Sequence, residues 1–163
     1  MHIASPLTVP SARPGLWSRA VGLARKLTSS LDWLAPAVDL AVRLLVASVF
    51  FKSGLIKIAN WDSTISLFEN EYAVPFLSPE VAALLGTSVE LAFPVLLVVG
   101  LGSRLSAFVL FVFNIVAVIS YPDLGEVGLR DHQTWGLLLL ITLLHGPGRL
   151  SLDHLFGRRF LGR

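Results

Sequence analysis

One carboxylate stands inside an apolar stretch long enough to cross a bilayer: residues 80–101, EVAALLGTSVELAFPVLLVVGL, hold Glu90 at their middle. An ionised group at that depth is costly unless a partner answers it. Arg43 and Asn114, each inside another apolar stretch, are the candidates. Counted at ~1.5 Å per residue from the ends on the side of the chain termini, Arg43 lies about 10 Å deep and Glu90 and Asn114 about 15 Å. A long guanidinium side chain closes the difference. The count predicts one buried layer, Arg43–Glu90–Asn114, in which the charges pair and the amide fills the remaining hydrogen bonds. Asp39, one turn from Arg43, and Arg104, at the near end of the next stretch, would extend it.

Two chemistries fit such a layer. One is a salt bridge that fixes helix register and needs no ligand. The other is a proton-bearing or ligand-binding centre, with a quinone carbonyl or a small anion docking beside Arg43 and Glu90. No residue is assigned a catalytic role, because no Gly-rich phosphate loop, Ser/His/Asp arrangement or close carboxylate pair lies within the apolar stretches.

Secondary candidates are Lys57, His132 and Trp135. His132 and Trp135 share a face near Asp123, Glu126 and Asp131, which suits a headgroup-level belt more than a proton entry point or a weak metal site. His132 and His145 fall at opposite ends of one helix and cannot ligate a single haem, and His2 and His154 lie outside the apolar stretches. No metal site is assigned. There is no cysteine, and the sole methionine is Met1. Thiolate metal sites, iron–sulfur clusters and Cys nucleophiles are therefore excluded, and any redox centre must be borrowed.

The elements that position these residues follow from composition and phase. A 54% hydrophobic fraction with only 15% charged residues over 163 residues is a membrane composition, since soluble domains are about a quarter charged. Four stretches read as transmembrane helices, at about 34–58, 80–101, 104–121 and 132–146, forming an all-α, antiparallel four-helix bundle over 34–148. In the first, Asp39, Arg43, Phe50, Gly54 and Lys57 fall on one stripe, and Lys52 lies on the opposite side. In the second, Gly86, Thr87 and Glu90 share a face with Pro94 and Leu97. Pro94 cannot donate to the carbonyl of Glu90.

Residues 1–33 read as an irregular start of about fifteen residues, then an amphipathic helix at the membrane interface with Leu16, Ala20, Leu23, Leu27 and Leu31 as its apolar stripe. A short surface helix is expected near 62–71, and 149–163 is a basic amphipathic tail. Nine Lys and Arg residues fall on the side of the termini and two, Lys57 and Arg130, on the other. The positive-inside rule then puts both termini in the cytoplasm. The basic ends suit anionic lipid headgroups, and no basic stripe interleaved with aromatics points to nucleic acid.

Several of these residues occur in a known arrangement. Arg43, Phe50, Phe51, Gly54 and Lys57 form R-x6-F-F-x2-G-x2-K, followed by Trp61. GTSVELAFPVLLVVGLGSRLSA carries Gly86, Glu90, Gly100, Leu101 and Arg104, and His132 and Trp135 precede HGPGRLSLD. Over about residues 38–153 the chain resembles the DoxX family. The resemblance implies a bacterial inner-membrane protein of four helices. It also implies association with a redox or stress-response partner, because some relatives are membrane subunits of quinone-linked oxidoreductases. The leading expectation is thus a membrane subunit of a redox or stress-response system with quinone as its candidate ligand. A small-solute transporter or channel component, and a structural anchor or assembly partner, are the alternatives. Oligomeric state is left open.

Overall fold

The structure, a computed structural model, describes residues 15–160. Six helices follow one another there: α1 (Leu16–Ala59), α2 (Trp61–Asn70), α3 (Pro79–Val99), α4 (Ser103–Ser120), α5 (Gly125–His145) and α6 (Leu152–Phe160). The chain divides into two compact units between Leu34 and Ala35. The expected irregular start lies outside the described residues, apart from Gly15.

In the first unit the described backbone from Leu16 onward is helical, with Trp17, Arg25 and Lys26 exposed. The sequence reading placed a break between a surface helix and the first span near residue 33. The helix instead continues, with Pro36 inside it. Ser29 and Ser30 turn their hydroxyls back onto the carbonyl of Lys26 at 3.0 and 2.9 Å and so leave the helical ladder intact.

The second unit is built on four apolar stripes at helical spacing. Arg43, Val46, Ala47, Phe50 and Gly54 are the buried line of α1, while Lys52 is exposed. Ala83, Gly86, Glu90, Pro94 and Leu97 belong to that of α3, Ser103, Ser106, Ala107, Leu110 and Asn114 to that of α4, and Gly136, Leu139 and Thr142 to that of α5. The stripes meet in a core of Val46, Ala47, Phe50, Leu97, Ala107, Leu110 and Leu139. Phe50 sits edge-on to Phe113 and to Trp135, with centroids 6.2 and 6.1 Å apart.

Caps set where the helices begin and end. Asn60 accepts from the Ser63 amide at the start of α2, and Ser78 precedes Pro79, which as the first residue of α3 has no N–H to lose. Gly100 ends α3 in the left-handed region at φ 78°. α2 lies near its expected position and packs Phe68 against Ala82 and Ala83 of α3. α5 begins at Gly125 rather than His132, so part of the stretch read as a loop, from Gly125 to Asp131, is the helix's first turns. Its charged residues interrupt the apolar pattern without interrupting the backbone.

The segments Val21–Ala59, Pro79–Val99 and Ser103–Ser120 are long and apolar enough to cross a membrane. The 21-residue α5 has the length, but Glu126, Arg130, Asp131 and His132 occupy its first half.

Candidate functional site

Small residues set the register of α1 against α3. A Cβ placed on Gly54 would stand 2.9 Å from Leu91 and 3.0 Å from the Cβ of Glu90, so only glycine permits this approach without displacement. Gly54 is therefore level with Glu90. Arg43, eleven residues earlier on an antiparallel neighbour, is displaced along the axis by about 16 Å. The single Arg43–Glu90–Asn114 layer expected from the sequence does not form. The depth count took residue 34 as a membrane boundary, whereas α1 continues through that point.

Glu90 is 4% exposed, and its partner is Lys57. Nζ donates to both carboxylate oxygens at 2.8 Å and to Ser53 Oγ at 2.8 Å. Lys57 lies one turn past Gly54 on the same stripe, and its long side chain reaches back to the level of Glu90. Its own carbonyl accepts from Thr64 Oγ1 of α2 at 2.9 Å, which ties the top of α1 to the surface helix.

Asn114 pairs with His132. Its Nδ2 donates to the His132 carbonyl at 2.9 Å, and its Oδ1 lies 2.8 Å from His132 Nδ1. Because Oδ1 can only accept, Nδ1 carries the proton, and Nε2 of the neutral ring is left as a base. Trp135 stacks edge-on against the imidazole at 4.8 Å. A Cβ on Gly136 would stand 3.2 Å from Asn114 Nδ2, so this glycine makes room for the amide.

The ion pair and His132 face one cavity. A space of about 190 Å³ is lined by Ser53, Lys57, Tyr72, Glu90, His132 and Trp135, among others. A more apolar space of about 150 Å³ lies on another side of the ion pair, with Phe68, Leu85, Gly86 and Val116 in its wall, and shares Lys57, Tyr72, Glu90, Phe113 and Ala117 with the first.

Tyr72, which is not among the candidates named from the sequence, lines both spaces. It stacks on Phe68 and Tyr121 at 4.8 and 5.1 Å, and among the described residues its hydroxyl has no hydrogen-bond partner. Burial pushes its phenol above the usual range, with the charges of Glu90, Tyr121 and Glu71 adding to the effect. The phenol therefore stays an O–H donor at neutral pH. Tyr121 donates to Glu71 at 3.2 Å, and that bond holds its phenol above the usual range as well. Chemically, this end of the bundle offers a hydroxyl donor, an imidazole base and a carboxylate–ammonium pair within aromatic walls.

Arg43 does different work at the opposite end. It is 1% exposed, and its guanidinium donates to main-chain carbonyls. Nη1 reaches Leu97 and Val98 at 3.2 and 3.3 Å, and Nη2 reaches Leu150, while Nε is buried without a partner among the described residues. These bonds tie the end of α3 to the segment after α5. The glycines of the same region fit closely around them: a Cβ on Gly100 would meet Ser151 at 2.5 Å and Arg43 Nη1 at 2.8 Å, and one on Gly148 would meet Asp39 Oδ2 at 2.5 Å. Asp39 thus lies beside Gly148, where its charge acts on Arg43. Arg104 turns instead to the Leu144 carbonyl at 3.5 Å. Asp153 caps α4, accepting from the amides of Gly102 and Ser103 at 2.8 Å each. Among the described residues, no group of three or more His, Cys, Asp or Glu side chains is placed to hold a metal ion.

Long apolar helices with a partnered charge at each end of their interior define a helical membrane protein. Comparison with known sequences places it more closely. The DoxX family model matches residues 38–122. A protein of Haemophilus influenzae, described as uncharacterized, is 33% identical over 125 residues, which cover 71% of this chain and 81% of the relative. The chain belongs to the DoxX family. No solved structure matches it.

Proposed function

We propose that this chain is the membrane subunit of a redox or stress-response system and binds a polar head group, of the quinone class, in the cavity between Lys57–Glu90 and His132–Asn114. The observation that carries this reading is the placement of the buried ion pair against two adjoining spaces. A bridge needed only for register would be closed in by packing, as Arg43 is.

The residues present fit a quinone head. Tyr72 offers an O–H to a carbonyl oxygen, Phe113 and Trp135 are flat walls, and the adjoining apolar space suits an alkyl substituent. When bound, a quinone would supply the electron-carrying chemistry that a chain without cysteine must borrow. The protein's part is to hold the head group and to move protons, with His132 Nε2 and the Glu90 carboxylate, bonded to Lys57, as the groups that can exchange one.

In this reading α5 is a fourth span, its polar first turns facing the cavity end. The bundle sits in a bacterial inner membrane with both termini cytoplasmic, following the distribution of Lys and Arg. The cavity then opens towards the outer face, and lipids surround the apolar helix faces.

The test is extraction of quinone from protein purified in mild detergent, wild type beside Tyr72→Phe and His132→Gln. Wild type is expected to carry quinone and each variant to carry several-fold less. Equal, near-zero quinone in all three, with folding intact, rejects the reading. Uptake of a small solute by proteoliposomes would favour a transporter instead.

A further inference from the structure

A second site lies at the Arg43 end of the bundle, away from the cavity above. An open cleft of about 610 Å³ is walled by the α3–α4 turn, the C-terminal end of α5 and the start of α6, and Arg104, His145, Arg149, Asp153 and His154 line it. Four of these five side chains are cationic or become so on protonation. The one carboxylate, Asp153, is already engaged, each oxygen accepting a main-chain amide at the start of α4. The other nearby carboxylate, Asp39, lies beside Gly148, and its charge acts on Arg43. Arg104 and Arg149 are left without a carboxylate partner among the described residues.

Arg104 is exposed and lines the cleft. Its guanidinium lies across the end of α5, 3.5 Å from the Leu144 carbonyl and 3.3 to 3.4 Å from where a Cβ on Gly146 would be. A guanidinium has five N–H donors, and this one contact leaves most of the fork free. The flank of the cleft is apolar. Leu101, Leu105 and Leu144 are 43%, 64% and 69% exposed and stand on the same turn and helix ends. A planar cationic fork above an exposed apolar flank matches a phosphate ester that carries acyl chains.

We infer that this cleft binds the phosphate of an anionic membrane phospholipid, with Arg104 and Arg149 on the phosphate oxygens and the acyl chains along Leu101, Leu105 and Leu144. The lipid would bridge the α3–α4 turn, which Asp153 of α6 already bonds, and the end of α5.

The experiment uses the full chain, delipidated in detergent, with thermal unfolding followed as phosphatidylglycerol, phosphatidylcholine or inorganic phosphate is added. Phosphatidylglycerol is expected to raise the midpoint saturably and phosphatidylcholine to leave it unchanged. Arg104→Gln with Arg149→Gln is expected to weaken the phosphatidylglycerol response about tenfold or more, as loss of charge-assisted bonds does, and Lys at both positions to restore part of it. Equal responses to the two lipids would overturn the site, with or without a foldable variant. A phosphatidylglycerol response untouched by the double Gln change would do the same. Full stabilisation by inorganic phosphate alone would overturn the lipid as ligand.

Discussion

One face of α1 carries a cation towards each end of the bundle, and the two are treated differently. Arg43 is bonded to main-chain carbonyls of Leu97, Val98 and Leu150 and lines none of the cavities described. Lys57 is bonded to a side-chain carboxylate and lines two. Carbonyl oxygens at helix ends cannot be protonated or moved, so a guanidinium fixed on them is a permanent joint. A carboxylate can take a proton or swing away, so the Lys57–Glu90 pair is a joint that can open. Burial alone did not separate the two roles, since Arg43 and Glu90, one from each joint, are both buried. The kind of partner did.

The largest expected effect is at the permanent joint. Arg43→Met should leave the acceptors unpaired and lower stability by about 3 kcal/mol or more, read from thermal unfolding in detergent. Lys at that position should recover little, because one ammonium cannot replace the planar fork. A recovery by Lys would mean that charge, not geometry, matters there.

Lys57→Met alone should cost a comparable amount, about 3 kcal/mol, by stranding Glu90. Here, unlike at Arg43, a second change should repair the first: adding Glu90→Leu should restore most of the stability while abolishing the bound ligand. If the double variant stays as unstable as the single one, the pair is no more exchangeable than Arg43, and the contrast collapses.

Gly54→Val should push Leu91 and Glu90 away and cost about 1–3 kcal/mol, as overpacking does. Asn114→Leu should cost about 1 kcal/mol in stability yet free the His132 ring, so the loss of ligand should exceed the loss of stability. The smallest effect is expected at Lys52, exposed on the far side of α1. Lys52→Gln should change neither stability nor ligand content measurably.

Much of this was readable from residue order. The phase of α1 placed Arg43, Gly54 and Lys57 on one inward stripe, and that of α3 placed Gly86, Glu90 and Leu97 together; all are buried except Lys57, which is partly so. The pairing across helices was not readable, because phase says which way a side chain points and not how far along the neighbour it lies. That offset depends on the contact of Gly54 with Leu91, a property of two helices at once. Lys57 was a secondary candidate, and its spacing from Gly54 was the available signal. Tyr72 gave less. Its position follows from the return of the chain after α2, where the Ala73 amide bonds the Ser120 carbonyl at 2.8 Å, a link that no local pattern announces.

The ion pair between α1 and α3 also bears on how the protein is made. Helices leave the ribosome in sequence, so α1 reaches the bilayer with Lys57 and Arg43 before their partners exist. Near the lipid surface each can reach water along its own side chain, so the helix inserts but holds no fixed depth. When α3 follows, Glu90 and the carbonyls of Leu97 and Val98 arrive on one helix and engage both cations. The vertical position of the first helix is thus decided by the later one, and synthesis of the chain as far as Gly100 is the earliest point at which the bundle has a defined depth.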